Sequence, residues 1–282
     1  MKQLVKGIYM RKIFSVPVAC LAVFIGATTT LHAATIYVPD NFKTINEAVK
    51  NASPKDTIIV NEGNYAENIV ITKPLTIRSS KGPDASMVHA LIKTEPVFKV
   101  SNAYEAAIIG FTVSGSLTAG IYFYNSQNGQ ILDNKIINNG NGVLLYSSNK
   151  NILANNSASS NEQYGIYLES SNDNTLEQNT VNSNKDRGIF LNSSSNNNLT
   201  NNNVNLNAWD GIMLWSSHRN TLKDNKVLRN RYAIVLSNSD DNTLINNSTW
   251  SNIYIILPIV LIYIGILVYL IQKNLIRLLY RE

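Results

Sequence analysis

The groups of this 282-residue chain that could ligate a metal or move a proton are 19 Asp and Glu, three His, four Met and one Cys. Cleavage of a glycosidic bond needs carboxylates that converge, one as acid and the other as base or nucleophile. Asp240 and Asp241 are the only adjacent pair. They stand between Ser239 and Asn242, in a stretch of turn composition where successive side chains diverge and Asp is favoured for backbone reasons alone. A lyase would want an acidic, calcium-holding cluster beside a basic residue. Glu169, Asp186, Asp210 and Asp224 instead fall on different columns of the repeat described below. For a soft or imidazole-bound metal the candidates are Met87, His89, Met213 and His218. Met87 and His89 share one face of an extended strand, but His218 lies far along the chain. The sequence therefore leads us to expect no catalytic residue, no metal ligand set and no cofactor.

What must position any functional side chain here is a repeat. Gly120-Ile-Tyr-Phe-Tyr, Gly142-Val-Leu-Leu-Tyr, Gly165-Ile-Tyr-Leu-Glu, Gly188-Ile-Phe-Leu-Asn, Gly211-Ile-Met-Leu-Trp and Ala233-Ile-Val-Leu-Ser begin 22 or 23 residues apart. Six positions after the first residue of each comes Ser, from Ser126 to Ser239. Eleven after it comes Ile131 or a Leu, from Leu153 to Leu244. Fourteen and nineteen after it comes Asn, from Asn134 to Asn247 and from Asn139 to Asn252. Short apolar alternations separated by Asn, Ser and Gly read as short strands joined by turns. A fixed period of this length reads as a solenoid. The fold expected is all-β, a right-handed parallel β-helix of 22–23-residue coils, in which stacked Leu and Ile form the core and stacked Asn form amide ladders. Earlier coils are expected at Thr57–Val60, Ile69–Ile71, Leu75–Ile77, Val97–Val100 and Ile108–Val113. Ile45, Ala48 and Val49 mark a short amphipathic helix that would cap the N-terminal end.

Alternation within the Gly-Ile-Tyr-Leu-Glu type strands sends Ile121, Val143, Ile166, Ile189 and Ile212 inward. The outward set is then Tyr122, Tyr124, Leu144, Tyr146, Tyr167, Glu169, Phe190, Asn192, Met213 and Trp215. No coil carries an insertion long enough to cover this strip. Tyr and Trp combine an apolar face with a polar edge, so the carbohydrate-binding candidates are Tyr122, Tyr124, Tyr146, Tyr167, Glu169, Phe190 and Trp215. The competing account is that aromatic residues simply suit strands and stack on one another.

The net charge of +5 is concentrated at the termini, with Lys2, Lys6, Arg11 and Lys12 at one end and Lys273, Arg277 and Arg281 at the other. Between Thr35 and Asn252 stand 17 basic and 18 acidic residues, which argues against nucleic acid as a partner. The basic start followed by the apolar stretch 13–27 reads as a secretory signal peptide over residues 1–34. Cys20 lies inside it, so the mature chain would lack thiols. Residues 253–271 carry no charge and are long enough to cross a bilayer. The expected plan is a β-helix ectodomain over 35–252, a transmembrane helix over 253–271 and a cytoplasmic tail over 272–282, which places the chain in a cell membrane as a single-pass protein with the folded part outside.

Three segments carry a family resemblance: Thr35-Ile-Tyr-Val-Pro-Asp-Asn-Phe-Lys-Thr-Ile-Asn-Glu-Ala-Val, Asp56-Thr-Ile-Ile-Val-Asn-Glu-Gly-Asn-Tyr-Ala-Glu-Asn and Lys73-Pro-Leu-Thr-Ile. Together with the Asn-rich coils, they resemble the NosD-like periplasmic copper-binding and CASH-type (carbohydrate-binding and sugar hydrolase) β-helix proteins. The resemblance implies the fold over roughly Thr35 to Asn252 and leaves function open, because this architecture hosts many activities. Pectin esterases share the Gly63-x-Tyr65-x-Glu67 element, but their later catalytic aspartate motifs are absent, as is an Asp-Pro-His-Asp motif like that of alginate epimerases.

The reading that follows is a non-catalytic surface protein, structural or carbohydrate-binding, with a polysaccharide or surface glycan as partner. The alternatives are a polysaccharide-modifying enzyme of lyase, hydrolase or epimerase type and a copper-related accessory protein. Sequons at Asn51, Asn155, Asn192, Asn198, Asn246 and Asn247 permit N-glycosylation in a suitable host.

Overall fold

The structure is a computed structural model that describes residues 33–251 together with 268–269. The chain winds as a right-handed parallel β-solenoid of about nine turns. Each coil contributes up to three short strands, and equivalent strands pair in parallel across coils. A ten-stranded sheet runs from Thr35–Val38 to Thr243–Ile245, and an eight-stranded sheet runs from Ile69–Ile71 to Tyr232–Ser237. A five-stranded sheet runs from Gly63–Ala66 to Ser157–Ser159. Isolated bridges through Thr180 and Asn203 extend it to the pair Lys226–Asn230 and Ser248–Ser251.

The earlier coils expected from Thr57 onward are present in register: Ile58 lies beside Ile77, and Ile77 beside Ile108. The core is a set of aliphatic columns, among them Ile131, Leu153, Leu176, Leu199 and Leu222, all fully buried. Ile121, Val143, Ile166, Ile189 and Ile212 also point inward as expected. In the last described coil the inward positions open to solvent, with Ile234 only partly buried and Leu236 exposed.

The repeated glycine is explained by space. At Gly188 a Cβ would lie 2.3 Å from Val204 Cγ1 and 2.7 Å from the Asn207 amide nitrogen, so any side chain would strike both the opposite sheet and an Asn ladder.

Those ladders fill the corners. The Asn179 carboxamide oxygen accepts from the Asn156 backbone N–H at 3.0 Å and from the Asn156 amide at 3.1 Å. Its own amide donates to Leu153 O at 2.8 Å and to the Asn202 oxygen at 3.0 Å. The same bonding recurs along Asn139–Asn161–Asn184–Asn207–Asn230 and along Asn151–Asn174–Asn197–Asn220–Asn242. The third of these ladders stands nine positions after the repeated glycine. It went unread in the sequence, where Gly129 breaks the column. Among the described residues no buried polar side chain lacks a partner.

Helix α1, Ile45–Asn51, packs Ile45, Ala48 and Val49 against the start of the solenoid, next to the strand Ile69–Ile71. Thr44 and Glu47 form a capping box at its N-terminus. The Glu67 carboxylate accepts the Ile45 and Asn46 N–H groups, each at 2.9 Å. At the other end Lys73 Nζ donates to the carbonyls of Lys50 and Ala52. A carboxylate thus faces the positive end of the helix and an ammonium the negative end. In this chain Glu67 of the Gly63-x-Tyr65-x-Glu67 element holds a helix end, while the Tyr65 hydroxyl donates to Asn61 O at 3.0 Å.

The expected signal peptide falls almost wholly outside the described residues. So does the expected transmembrane segment 253–271, apart from Val268 and Tyr269. Among the described residues no helix is long and apolar enough to cross a membrane.

Candidate functional site

The outward face of the eight-stranded sheet presents two columns. One runs Lys99, Tyr122, Leu144, Tyr167, Phe190, Met213, Val235, and the other Ser101, Tyr124, Tyr146, Glu169, Asn192, Trp215, Ser237. The sequence places this strip correctly but overstates its openness. Tyr124, Tyr146 and Trp215 are exposed at 39%, 38% and 47%, whereas Phe190 and Met213 retain only 8% and 6%.

The cover is not an insertion. At Phe190 it comes from Tyr164 and Arg187, each one position before the repeated glycine, which form a wall beside the strip. Arg187 lies 5.0 Å from the Phe190 ring centre and 5.9 Å from that of Tyr164. Tyr164 meets Tyr167 edge to face at 5.0 Å and Phe190 at 5.3 Å. Arg231 lies 4.2 Å over Trp209. Each contact is a cation or ring edge against an aromatic face. These wall residues were missed in the sequence because their column changes chemistry at every coil, from Asn141 through Tyr164, Arg187 and Asp210 to Tyr232.

The rings also face each other more than they face outward. Tyr167 and Phe190 stack at 5.1 Å with planes 5° apart, and Tyr124 and Tyr146 stack at 5.8 Å and 22°. Because these partners are neighbours across coils, each shields one face of the other. Tyr124 and Tyr146 keep part of their rings at the surface, whereas Phe190 is buried. Flat stacking of a sugar on a ring is therefore restricted to faces outside the stacks, such as that of the exposed Trp215.

Two acids regarded as scattered are brought together. Arg187 Nε donates to Asp210 Oδ2 at 2.8 Å, and Arg187 Nη1 lies 3.3 Å from Asp186 Oδ1. Burial pushes the Asp210 carboxyl above the usual aspartate range against the pull of Arg187. Glu169 joins a second group, accepting from the Tyr167 hydroxyl at 2.9 Å while Asn192 donates to that hydroxyl at 3.4 Å. Burial foremost, opposed by the Asn192 bond and reinforced by Glu169, carries the Tyr167 hydroxyl up to about 12. Tyr122 and Tyr164 are likewise raised, chiefly by burial. Asp224 stays apart at a corner beside Lys223. Asp240 and Asp241 are exposed in their turn, with Asp241 in the left-handed region and the Asp240 N–H donating to His218 Nδ1 at 3.0 Å.

A groove of about 390 Å³ opens at the first end of the strip, among Glu95, Lys99, Tyr122, Asn141, Leu144 and Gln163. A larger hollow of about 560 Å³ lies at the end of the last described coil, among Tyr232, Ile234, Leu244 and Asn247. It holds none of the ionisable clusters described above.

Among the sequon residues, Asn51, Asn155, Asn198 and Asn246 are exposed. Asn192 lies in the strip, and the amide of Asn247 is engaged with Leu222 O.

The fit to copper is poor. Met87 and His89 are exposed together on the five-stranded sheet, Met213 is buried in the aromatic strip, and His218 sits at a corner bonded to Asp240. Among the described residues no three of His, Cys, Asp and Glu gather as a metal site.

The sequence profile of a family described as periplasmic copper-binding protein (NosD) matches residues 49–256, with a second, overlapping match over 205–277. No curated protein sequence matches the chain. Solved structures with a similar fold include the periplasmic alginate epimerase AlgG in a mutant form, with a TM-score of 0.54 and 19% identity over 76% of this chain and 55% of that one. The A-module of the Azotobacter vinelandii mannuronan C-5 epimerase has a TM-score of 0.59 and 13% identity over 72% and 69% of the two chains. Pectate lyase Pel9A has a TM-score of 0.53 and 13% identity over 77% and 78%. This chain thus spans little more than half of the periplasmic alginate epimerase, and identities this low establish the shared fold alone.

Proposed function

The chain belongs to the periplasmic copper-binding protein (NosD) family, and from that premise we propose that it is an exported β-helix protein that binds a glycan along the outward face of its eight-stranded sheet without altering it. The observation that carries this reading is the contrast between that face, with its exposed Tyr124, Tyr146 and Trp215 beside a groove, and the corners, whose side chains are fully occupied in holding coils together. Contiguous exposed aromatic surface beside polar groups is typical of an interaction site. That solved relatives of the fold are named as alginate epimerases and a pectate lyase is consistent with a polysaccharide partner. In this reading residues 1–34 direct export, α1 closes the N-terminal end of the core, and 253–271 anchor the chain in a membrane with the solenoid outside. Because the described His and Met residues do not converge, this reading gives copper no part. The test is retention of the full chain on immobilised polysaccharides: replacing Tyr146, Tyr167 and Trp215 by Ala together should abolish retention while leaving the circular dichroism of the solenoid intact. Unchanged retention would refute the assignment.

One observation favours a second reading, a polysaccharide-modifying enzyme. Asp186 and Asp210 flank Arg187 at the edge of the strip, and the Asp210 carboxyl is raised by burial, as a general acid requires. Product analysis separates the two readings, since release of new reducing ends or unsaturated sugars that is lost in Asp210→Asn would establish the enzyme.

A further inference from the structure

Resting on the glycan-binding reading above, we infer that the ligand is an uncharged polysaccharide, and that the site discriminates against acidic ones such as uronate polymers. Charge complementarity along the strip sets this preference. Two of its three cations are already engaged within the strip. Arg187 is already bonded to Asp210 at 2.8 Å and lies 3.3 Å from Asp186, and its guanidinium also lies near the rings of Phe190 and Tyr164. Arg231 is laid over Trp209 at 4.2 Å and also approaches Tyr232 at 5.6 Å. Lys99 remains at the first end, where Glu95 lines the same groove.

Against these three cations stand Glu95, Glu169, Asp186 and Asp210, so the face has no positive excess to attract a polyanion. A uronate bound at the middle of the strip would meet Glu169, whose charge is held in place by the Tyr167 hydroxyl. To reach Arg187 it would have to displace a buried carboxylate, leaving Asp210 without its partner.

The groups the face does offer are neutral. Tyr124 and Tyr146 carry exposed phenol edges, Asn141 and Gln163 line the groove, and Trp215 presents indole surface. Hydroxyl and amide groups that both donate and accept, set among apolar ring edges, match a chain of sugar hydroxyls and C–H faces. They form no fork of donors for a carboxylate.

The experiment measures binding of the full chain, by calorimetry, to neutral hexasaccharides (gluco-, manno- and xylo-oligomers) and to oligomannuronate and oligogalacturonate of the same length, at 50 and 500 mM salt. The expected result is that at least one neutral oligomer binds, with affinity unchanged within twofold between the two salt concentrations, and that the acidic oligomers bind at least tenfold more weakly. Acidic oligomers that bind as tightly as neutral ones, with an affinity that falls on adding salt and in Lys99→Gln, would overturn the neutral-ligand inference while leaving the glycan-binding reading intact. Failure of every oligomer to bind would overturn both.

Discussion

In the corner columns one residue type recurs coil after coil, whereas in the outward columns of the eight-stranded sheet the residue changes at nearly every step. Both are columns of a parallel stack, and the difference lies in what each side chain must satisfy. A corner Asn accepts from the coil before it and donates to the coils on both sides, so a change at one level leaves a buried donor and a buried acceptor of the preceding coil unpaired. An outward side chain has no such obligation. Lys99, Tyr122, Leu144, Tyr167, Phe190 and Met213 can follow one another because each needs only a compatible neighbour. Uniformity here reports cohesion, and variation marks the surface on which recognition can be written.

The largest effect should come from breaking a corner. Asn179→Ala removes the acceptor of the Asn156 N–H and the donor to Leu153 O, both buried. Each orphaned group costs about 1–3 kcal/mol, so a loss of roughly 2–6 kcal/mol is expected in urea unfolding. A variant as stable as the parent would mean that the ladders do not hold the stack.

A smaller and pH-dependent effect is expected at the wall. The Asp210 carboxyl is raised by burial, so its contribution to stability is present below the ordinary aspartate value of 3.8 and is lost as pH rises through the higher folded value. Arg187 opposes that loss. Arg187→Gln should therefore cost about 1–2 kcal/mol at pH 7, less than for a fully buried pair because Arg187 keeps 23% of its side chain exposed. The deficit should shrink toward pH 4 as Asp210 takes up a proton. Urea midpoints of both proteins at the two pH values measure this, and an equal deficit at both would separate Asp210 from the effect.

The smallest change in stability belongs to the outward face itself. Tyr146→Ala removes an exposed ring stacked on one neighbour, and its unfolding free energy should stay within about 0.5 kcal/mol of the parent. Its binding, by contrast, should weaken.

The same contrast explains what the sequence made legible. Columns of identical residues, such as Ser126 to Ser239 or Asn134 to Asn247, reveal coil length, strand positions and core directly, because obligatory bonding imposes identity. The Asn151 to Asn242 ladder escaped notice through a single exception, Gly129. The wall escaped for a deeper reason: Tyr164, Arg187 and Asp210 share a column without sharing chemistry, and no period announces them. Nor can spacing reveal that Tyr167 and Phe190 turn their faces to each other, since side-chain rotation at one coil is set by its neighbours. The inward and outward assignment was readable, while the degree of cover over Phe190 was not.

The most direct test is a crystal structure of the full chain soaked with a neutral oligosaccharide that it binds. The expected result is sugar density along the eight-stranded sheet, in contact with Tyr146 and Trp215 and within hydrogen-bonding reach of the Tyr167–Glu169–Asn192 group. Density on either of the other two sheets, with that face left bare, would contradict it.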